Sequence, residues 1–217
     1  MIPLRDTIPS ARVPVVNYVL VADNLLVFCY EASLGVRQSE ALIRHWGLTP
    51  AHFGFTNLFT SMFLHGGLLH LLGNMLFLYI FGDNVEDRLG HLRYLVFYLL
   101  CGCAAGAAQA LSSPGSGVPM VGASGAIAGV LGAYLLLFPG ARIVTLVPIF
   151  FFVQVMEIRA VFFLAFWFLG QFMLGVSSLG SHGTTGGVAF WAHIGGFVAG
   201  MVLGPTMRER RPEPSWA

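Results

Sequence analysis

The sequence predicts an all-α membrane protein built as a bundle of six transmembrane helices. Three observations predict it. First, the chain of 217 residues is 56% hydrophobic and 10% charged, whereas a soluble domain carries about 25% charged residues. Its mean hydropathy is +0.77. So few charges cannot wet the surface of a globule this size, and the simplest solvent for most of the chain is lipid. Second, apolar runs approaching the ~20 residues of a membrane span recur six times along the chain. Third, the arginines are unevenly shared between alternate connections. With six spans, one side holds Arg5, Arg12, Arg88, Arg93, Arg142, Arg159, Arg208, Arg210 and Arg211, and the other only Arg37 and Arg44. Cytoplasmic loops carry the excess of positive charge, so both termini are expected in the cytoplasm.

Residues 1–14 read as a short polar lead with no cleavable signal peptide. Residues 15–207 form the membrane domain, and 208–217 a basic, proline-bearing tail. The first span runs from about Val15 to Tyr30. Asp23 and Asn24 interrupt it and are expected to face the bundle interior or a watery crevice. Glu31 to Leu64 is a long connection of mixed polarity, and short helices lying in the membrane interface fit it. Leu68 to Gly82 is the second span, and DNVEDRLG after it reads as a charged turn. Tyr94 to Leu111 is the third, and its Gly and Ala favour close helix contacts. Met120 to Phe138 is the fourth. Ile143 to Glu157 is apolar but holds Pro148 between charged ends, so it reads as an interfacial loop; a seventh span there would flip the tail outside. Val161 to Val176 and Ala189 to Gly204 are the fifth and sixth spans, joined by a loop of small residues.

The cysteines, at positions 29, 101 and 103, lie in apolar stretches and read as packing residues. The net charge of +1 comes with scattered arginines, so no nucleic-acid partner is expected. No metal or cofactor is expected either.

Two apolar segments carry chemistry. VGASGAIAGVLGAY from Val121 frames one hydroxyl, Ser124, with Gly122 and Gly125. WAHIGGFVAG from Trp191 supplies one imidazole, His193. On helices, Ser124, Ala128 and Gly132 share one face, and so do His193, Gly196, Gly200 and Gly204. Small-residue faces let helix backbones approach closely. If these two meet, the serine and the imidazole come within hydrogen-bond reach at the same depth. A serine hydroxyl becomes nucleophilic when a base takes its proton, and no carboxylate neighbours His193 in sequence. A Ser–His dyad without an acidic member is the expectation. His70 and Asn74, four apart on the second span, can supply donors for an oxyanion with the Ser124 amide.

The stretches FLHGGLLHLLGNMLFLYIFG from Phe63, VEDRLG from Val85, GASGAIAGVLGAY from Gly122 and AHIGGFVAG from Ala192 resemble the rhomboid family of intramembrane serine proteases. The resemblance covers nearly the whole chain. It implies a six-helix core with a first loop, residues 32–64, lying partly in the membrane. It implies a catalytic dyad of Ser124 and His193 and oxyanion contacts from His70, Asn74 and the Ser124 amide. It implies substrates that are single-pass transmembrane proteins in a lipid bilayer, cleaved without a cofactor. Many members carry an aromatic residue four positions after the serine, where this chain has Ala128; His193 is then expected to be held by packing on Gly196 and Phe197. Some bacterial members have a Trp-Arg pair in the first loop that is missing here around Thr56 and Asn57.

The loop SSLGSHGTTGGVAF and the fifth span, with few anchors, are candidates for a moving gate. With no targeting segment in the sequence, a bacterial plasma membrane is the expected location. The alternatives are a non-catalytic binder of membrane proteins on the same fold, and a small transporter. The sequence has few intramembrane carboxylates and no evident inverted repeat, which speaks against the transporter.

Overall fold

The computed structural model describes residues 1–149, 151–179 and 189–209. Its elements in order are β1 Ile2–Asp6, α1 Val15–Ser33, α2 Val36–Trp46, a single 3-10 turn at Pro50–His52, α3 Phe55–Thr60, α4 Leu68–Leu89, α5 His91–Ser112, α6 Ser124–Leu137, β2 Arg142–Ile149, β3 Phe152–Arg159, α7 Ala160–Leu179 and α8 Phe190–Met207. Among the described residues, five helices, α1, α4, α5, α7 and α8, are long and apolar enough to cross a membrane. The chain is a multi-pass membrane protein.

The fourth predicted span, α6, differs from the rest. It has 14 residues, which at ~1.5 Å each is shorter than a ~30 Å hydrocarbon core. Every residue from Gly125 to Tyr134 is buried. It is the central post of the bundle, and its neighbours rather than lipid surround it. The segment before it is extended: Leu48 and Met120 exchange backbone hydrogen bonds of 2.9 and 2.8 Å. That pairing ties the approach to α6 onto the connection after α2, so the helix begins inside the bundle.

Two glycine ridges let α8 lie against α6. A side chain on Gly196 would strike the Gly125 carbonyl, and one on Gly200 the Gly129 carbonyl. Gly132 backs onto the Phe197 carbonyl, and Gly204 onto Ala133. The expected α8 face is therefore the one used. On α6 the contact ridge is Gly125, Gly129 and Gly132, a step round the helix from the expected Ser124–Ala128–Gly132 face. Ala128 is fully buried. Glycine wins the contact because only a bare backbone permits an approach this close.

The charged stretch after the second span is not a turn. Helix α4 continues through it to Leu89. Asp83, Asn84 and Glu86 in it find partners across the bundle. Glu86, 1% exposed, accepts the first amides of α1, from Val16 at 3.0 Å and Asn17 at 2.7 Å. A carboxylate suits that position, where four amides lack partners and the helix dipole is positive. Asn17 is tied in turn to the Leu78 carbonyl and to the Tyr94 hydroxyl. Within α1, Asn24 is buried and bonds back to the Leu20 carbonyl at 2.7 Å, while Asp23 faces outward.

A second departure concerns residues 142–159. Residues 142–149 and 152–159 pair as antiparallel strands rather than forming a loop, and β1 from the polar lead completes a sheet of order β1-β2-β3. Ile143 pairs with Asp6 on one side and Ile158 on the other. The β-branched residues of RIVTLVPI and FVQVMEIR favour strands. Asp6 docks the sheet on the bundle, accepting from the Tyr134 hydroxyl at 2.5 Å and the Asn84 amide at 2.7 Å.

The long first connection holds the short helices expected of it. Asn57 closes it internally, donating to the carbonyls of His45 and Gly47, both at 2.9 Å. Residues 180–188, within the candidate gate loop, and 210–217 of the tail lie outside the described residues.

Candidate active site

Ser124 is the first residue of α6, and His193 lies in the first turn of α8. The glycine contacts between the two helices bring these residues together: Ser124 Oγ lies 2.9 Å from His193 Nε2. The other ring nitrogen, Nδ1, lies 2.6 Å from Oε1 of Gln171 on α7. An amide oxygen only accepts, so Nδ1 carries the ring proton and donates it there. Nε2 is then left with a lone pair facing the serine hydroxyl, which donates to it.

His193 is not held by packing on Gly196, which is spent against the Gly125 carbonyl. Helix α7 holds the ring instead. Trp167, one turn before Gln171, lies beside the imidazole with centroids 5.8 Å apart, and its other neighbour is Phe197 at 6.1 Å.

Ser124, His193, His70, Asn74, Gly122 and Trp167 all line one cavity of about 720 Å³. Gly122 joins the serine to the α4 pair. Its φ is +122°, a conformation glycine adopts freely. A side chain there would fall 2.7 Å from the His70 ring, with the Asn74 amide nitrogen at 3.5 Å. The backbone before Ser124 thus runs beside both donors, and the Gly122 amide is fixed on the Ser61 carbonyl at 2.8 Å. Gly125, Gly132, Gly196 and Gly200 pack the helices around this site, and Gly125 also lines the cavity.

Asn74 is itself oriented. Its amide donates to His65 Nε2 at 3.0 Å, and the His65 and His70 rings meet edge to face at 5.2 Å. His65 is 2% exposed, and its backbone amide donates to Glu31 of α1 at 3.1 Å. On α5, Gln109 accepts the Ala192 amide at 3.3 Å, tying the start of α8 to its neighbour.

Sequence reasoning missed Gln171, Trp167, His65 and Glu31. For Gln171 a signal was present: it is the only amide or charged side chain between Ala160 and Leu179, and a polar group in a span asks for a partner. His65 gave no such signal, because it precedes α4 and shares no helical face with His70.

A family profile described as the rhomboid domain matches residues 52–210. The chain belongs to the rhomboid family. RHOMBOID-like protein 6, mitochondrial, of Arabidopsis thaliana is 31% identical over 159 residues, 73% of this chain and 45% of that protein. Rhomboid protease GluP of Bacillus subtilis is 35% identical over 126 residues, 56% of this chain and 24% of its own length. The human presenilin-associated rhomboid-like protein, mitochondrial, is 28% identical over 146 residues, 65% of this chain and 38% of its own length. The chain thus spans 24–45% of the length of these relatives. The rhomboid match covers every cavity residue named above and takes in all of α4 to α8.

Proposed function

We propose that this rhomboid is an intramembrane serine endopeptidase that hydrolyses peptide bonds in or near the transmembrane segments of single-pass membrane proteins. The reading rests on one observation above all: the 2.9 Å contact from Ser124 Oγ to His193 Nε2 inside a cavity shared with His70 and Asn74. The name of the GluP relative, a rhomboid protease, agrees with it.

In this mechanism the Nε2 lone pair takes the serine proton as Oγ attacks the scissile carbonyl. The carbonyl π electrons move onto oxygen. His70, the Asn74 amide and the Ser124 backbone N–H stabilise that charge, which builds only in the transition state. The imidazolium gives its proton to the leaving amine, and the acyl chain stays on Ser124. Water, deprotonated by His193, then releases the acid and restores the hydroxyl. The tautomer at rest suits the first step, since Nε2 already accepts from Ser124.

The arginine distribution supports a cytoplasmic side for both termini. A transmembrane substrate reaches the cavity between α4 and α7, which touch through Phe163 against Phe77 and Phe81, with centroids 6.4 and 6.3 Å apart. A covalent crosslink between α4 and α7 that leaves cleavage intact would contradict this route.

The test of the function is cleavage of a panel of single-pass reporter proteins in proteoliposomes. Wild-type protein is expected to cut within or next to the reporter's span, and Ser124→Ala is expected to be inert. Equal cutting by Ser124→Ala would refute the mechanism. Folded wild type that binds reporters but cuts none would instead favour a binder.

A further inference from the structure

We propose that Gln171 is a positioning residue that fixes the tautomer and orientation of His193. The proposal rests on the serine–histidine reading above and adds to it a third group, supplied by α7.

A neutral imidazole can carry its proton on either nitrogen. Only the form with Nδ1–H leaves Nε2 free to take a proton from Ser124. The other form would point an N–H at the hydroxyl and could not act as its base. Nothing on α6 or α8 selects between them. Gln171 does, because its Oε1 lies 2.6 Å from Nδ1 and accepts without ever competing for the proton. The same bond strengthens as the ring becomes imidazolium, so it favours the transition state over the resting state.

An amide also fits the setting better than the carboxylate of a serine-protease triad. A carboxylate here would stand on the apolar helix AVFFLAFWFLGQFMLGVSSL, where an unpaired charge is costly whenever the histidine is neutral. The neutral amide provides an acceptor without that charge. Trp167 completes the arrangement from one turn away, limiting rotation of the ring by contact at 5.8 Å. Together the two α7 residues take the place of the aromatic group that Ala128 cannot supply.

The test uses the full chain in detergent micelles and a fluorophosphonate probe, whose attack by serine needs the same base. Rates are measured across probe concentrations for wild type, Gln171→Met, Gln171→Glu and Ser124→Ala, with a melting temperature for each. Gln171→Met keeps the reach of the side chain and removes the acceptor. It is expected to lower the limiting labelling rate about 10- to 100-fold, the worth of one hydrogen bond to a group that becomes charged. Half-saturation should stay where it is, while the melting temperature falls because the Nδ1–H loses its acceptor. Gln171→Glu keeps an acceptor oxygen and is expected to recover most of the rate. A wild-type rate in Gln171→Met, with Ser124→Ala silent, would overturn the role of Gln171 and leave the dyad standing. Equal rate losses in both Gln171 variants would mean packing, and overturn it as well. Labelling of Ser124→Ala at the wild-type rate would overturn the dyad itself.

Discussion

Gly200 on α8 lies flat against Gly129 on α6: a β-carbon built on Gly200 would fall 2.6 Å from the Gly129 α-carbon and closer still to its carbonyl oxygen. The distance between Ser124 and His193 is set by this contact, because the two residues stand on the two helices it joins. Gly200→Ala cannot be absorbed by a rotamer change, since the obstacle is backbone. The expected cost is about 1–3 kcal/mol, typical of overpacking, with a fall in fluorophosphonate labelling as the helices part. Thermal melting in micelles measures the first effect, and unchanged melting would show that the helices are not in contact there.

Asn74 and His70 are expected to act on rate. Asn74→Ala should lower the limiting labelling rate by about 10²–10³, the loss seen when one oxyanion donor is removed. His65→Leu removes the partner of Asn74 and the edge contact on His70 but no donor to the oxyanion, and should cost less. Labelling time courses at saturating probe rank the variants. A greater loss from His65→Leu than from Asn74→Ala would reverse the assigned roles.

Glu86 is expected to matter for stability and not for chemistry. Glu86→Leu leaves the Val16 and Asn17 amides without their acceptor at the start of α1. An unsatisfied buried donor costs about 1–3 kcal/mol, so a marked drop in melting temperature is predicted, with normal labelling below the transition. Glu86→Gln, which keeps one acceptor oxygen, should fall between.

Asp6 gives the account a pH dependence. Burial, with repulsion from Asp83, lifts its carboxyl to about 6 despite the Tyr134 hydrogen bond. Its folded pKa lies above the ordinary value of 3.8, so the folded state holds the proton more tightly. The stabilisation is full below about pH 4 and is lost as pH rises through 6. Asp6→Asn cannot ionise and keeps an oxygen for Tyr134. Its melting temperature relative to wild type should therefore climb between pH 4 and 7 and level off above. A difference that stays flat across that range would place the shift elsewhere.

The bundle was legible in the sequence because lipid imposes length and polarity on each span. Ser124 and His193 were legible because each is a lone reactive group in an apolar, glycine-notched segment. Other features were hidden for physical reasons. The hairpin at 142–159 is apolar on both faces, so the two-residue period that marks a strand is masked. The extension of α4 through Asp83, Asn84 and Glu86 depends on partners in α1 and β1, far away in sequence. The ridge Gly125–Gly129–Gly132 differs from the expected face by the rotation of α6, which is fixed only by packing against α8. Gln171 and Trp167 could be tied to His193 only once α7 was placed beside α8.

The most direct test of the central claim is to map the fluorophosphonate adduct by mass spectrometry on wild type, Ser124→Ala and His193→Ala. One adduct is expected in wild type, on Ser124, and none in either variant at matched times. An adduct on another residue, or one that forms on Ser124 at full rate without His193, would contradict it.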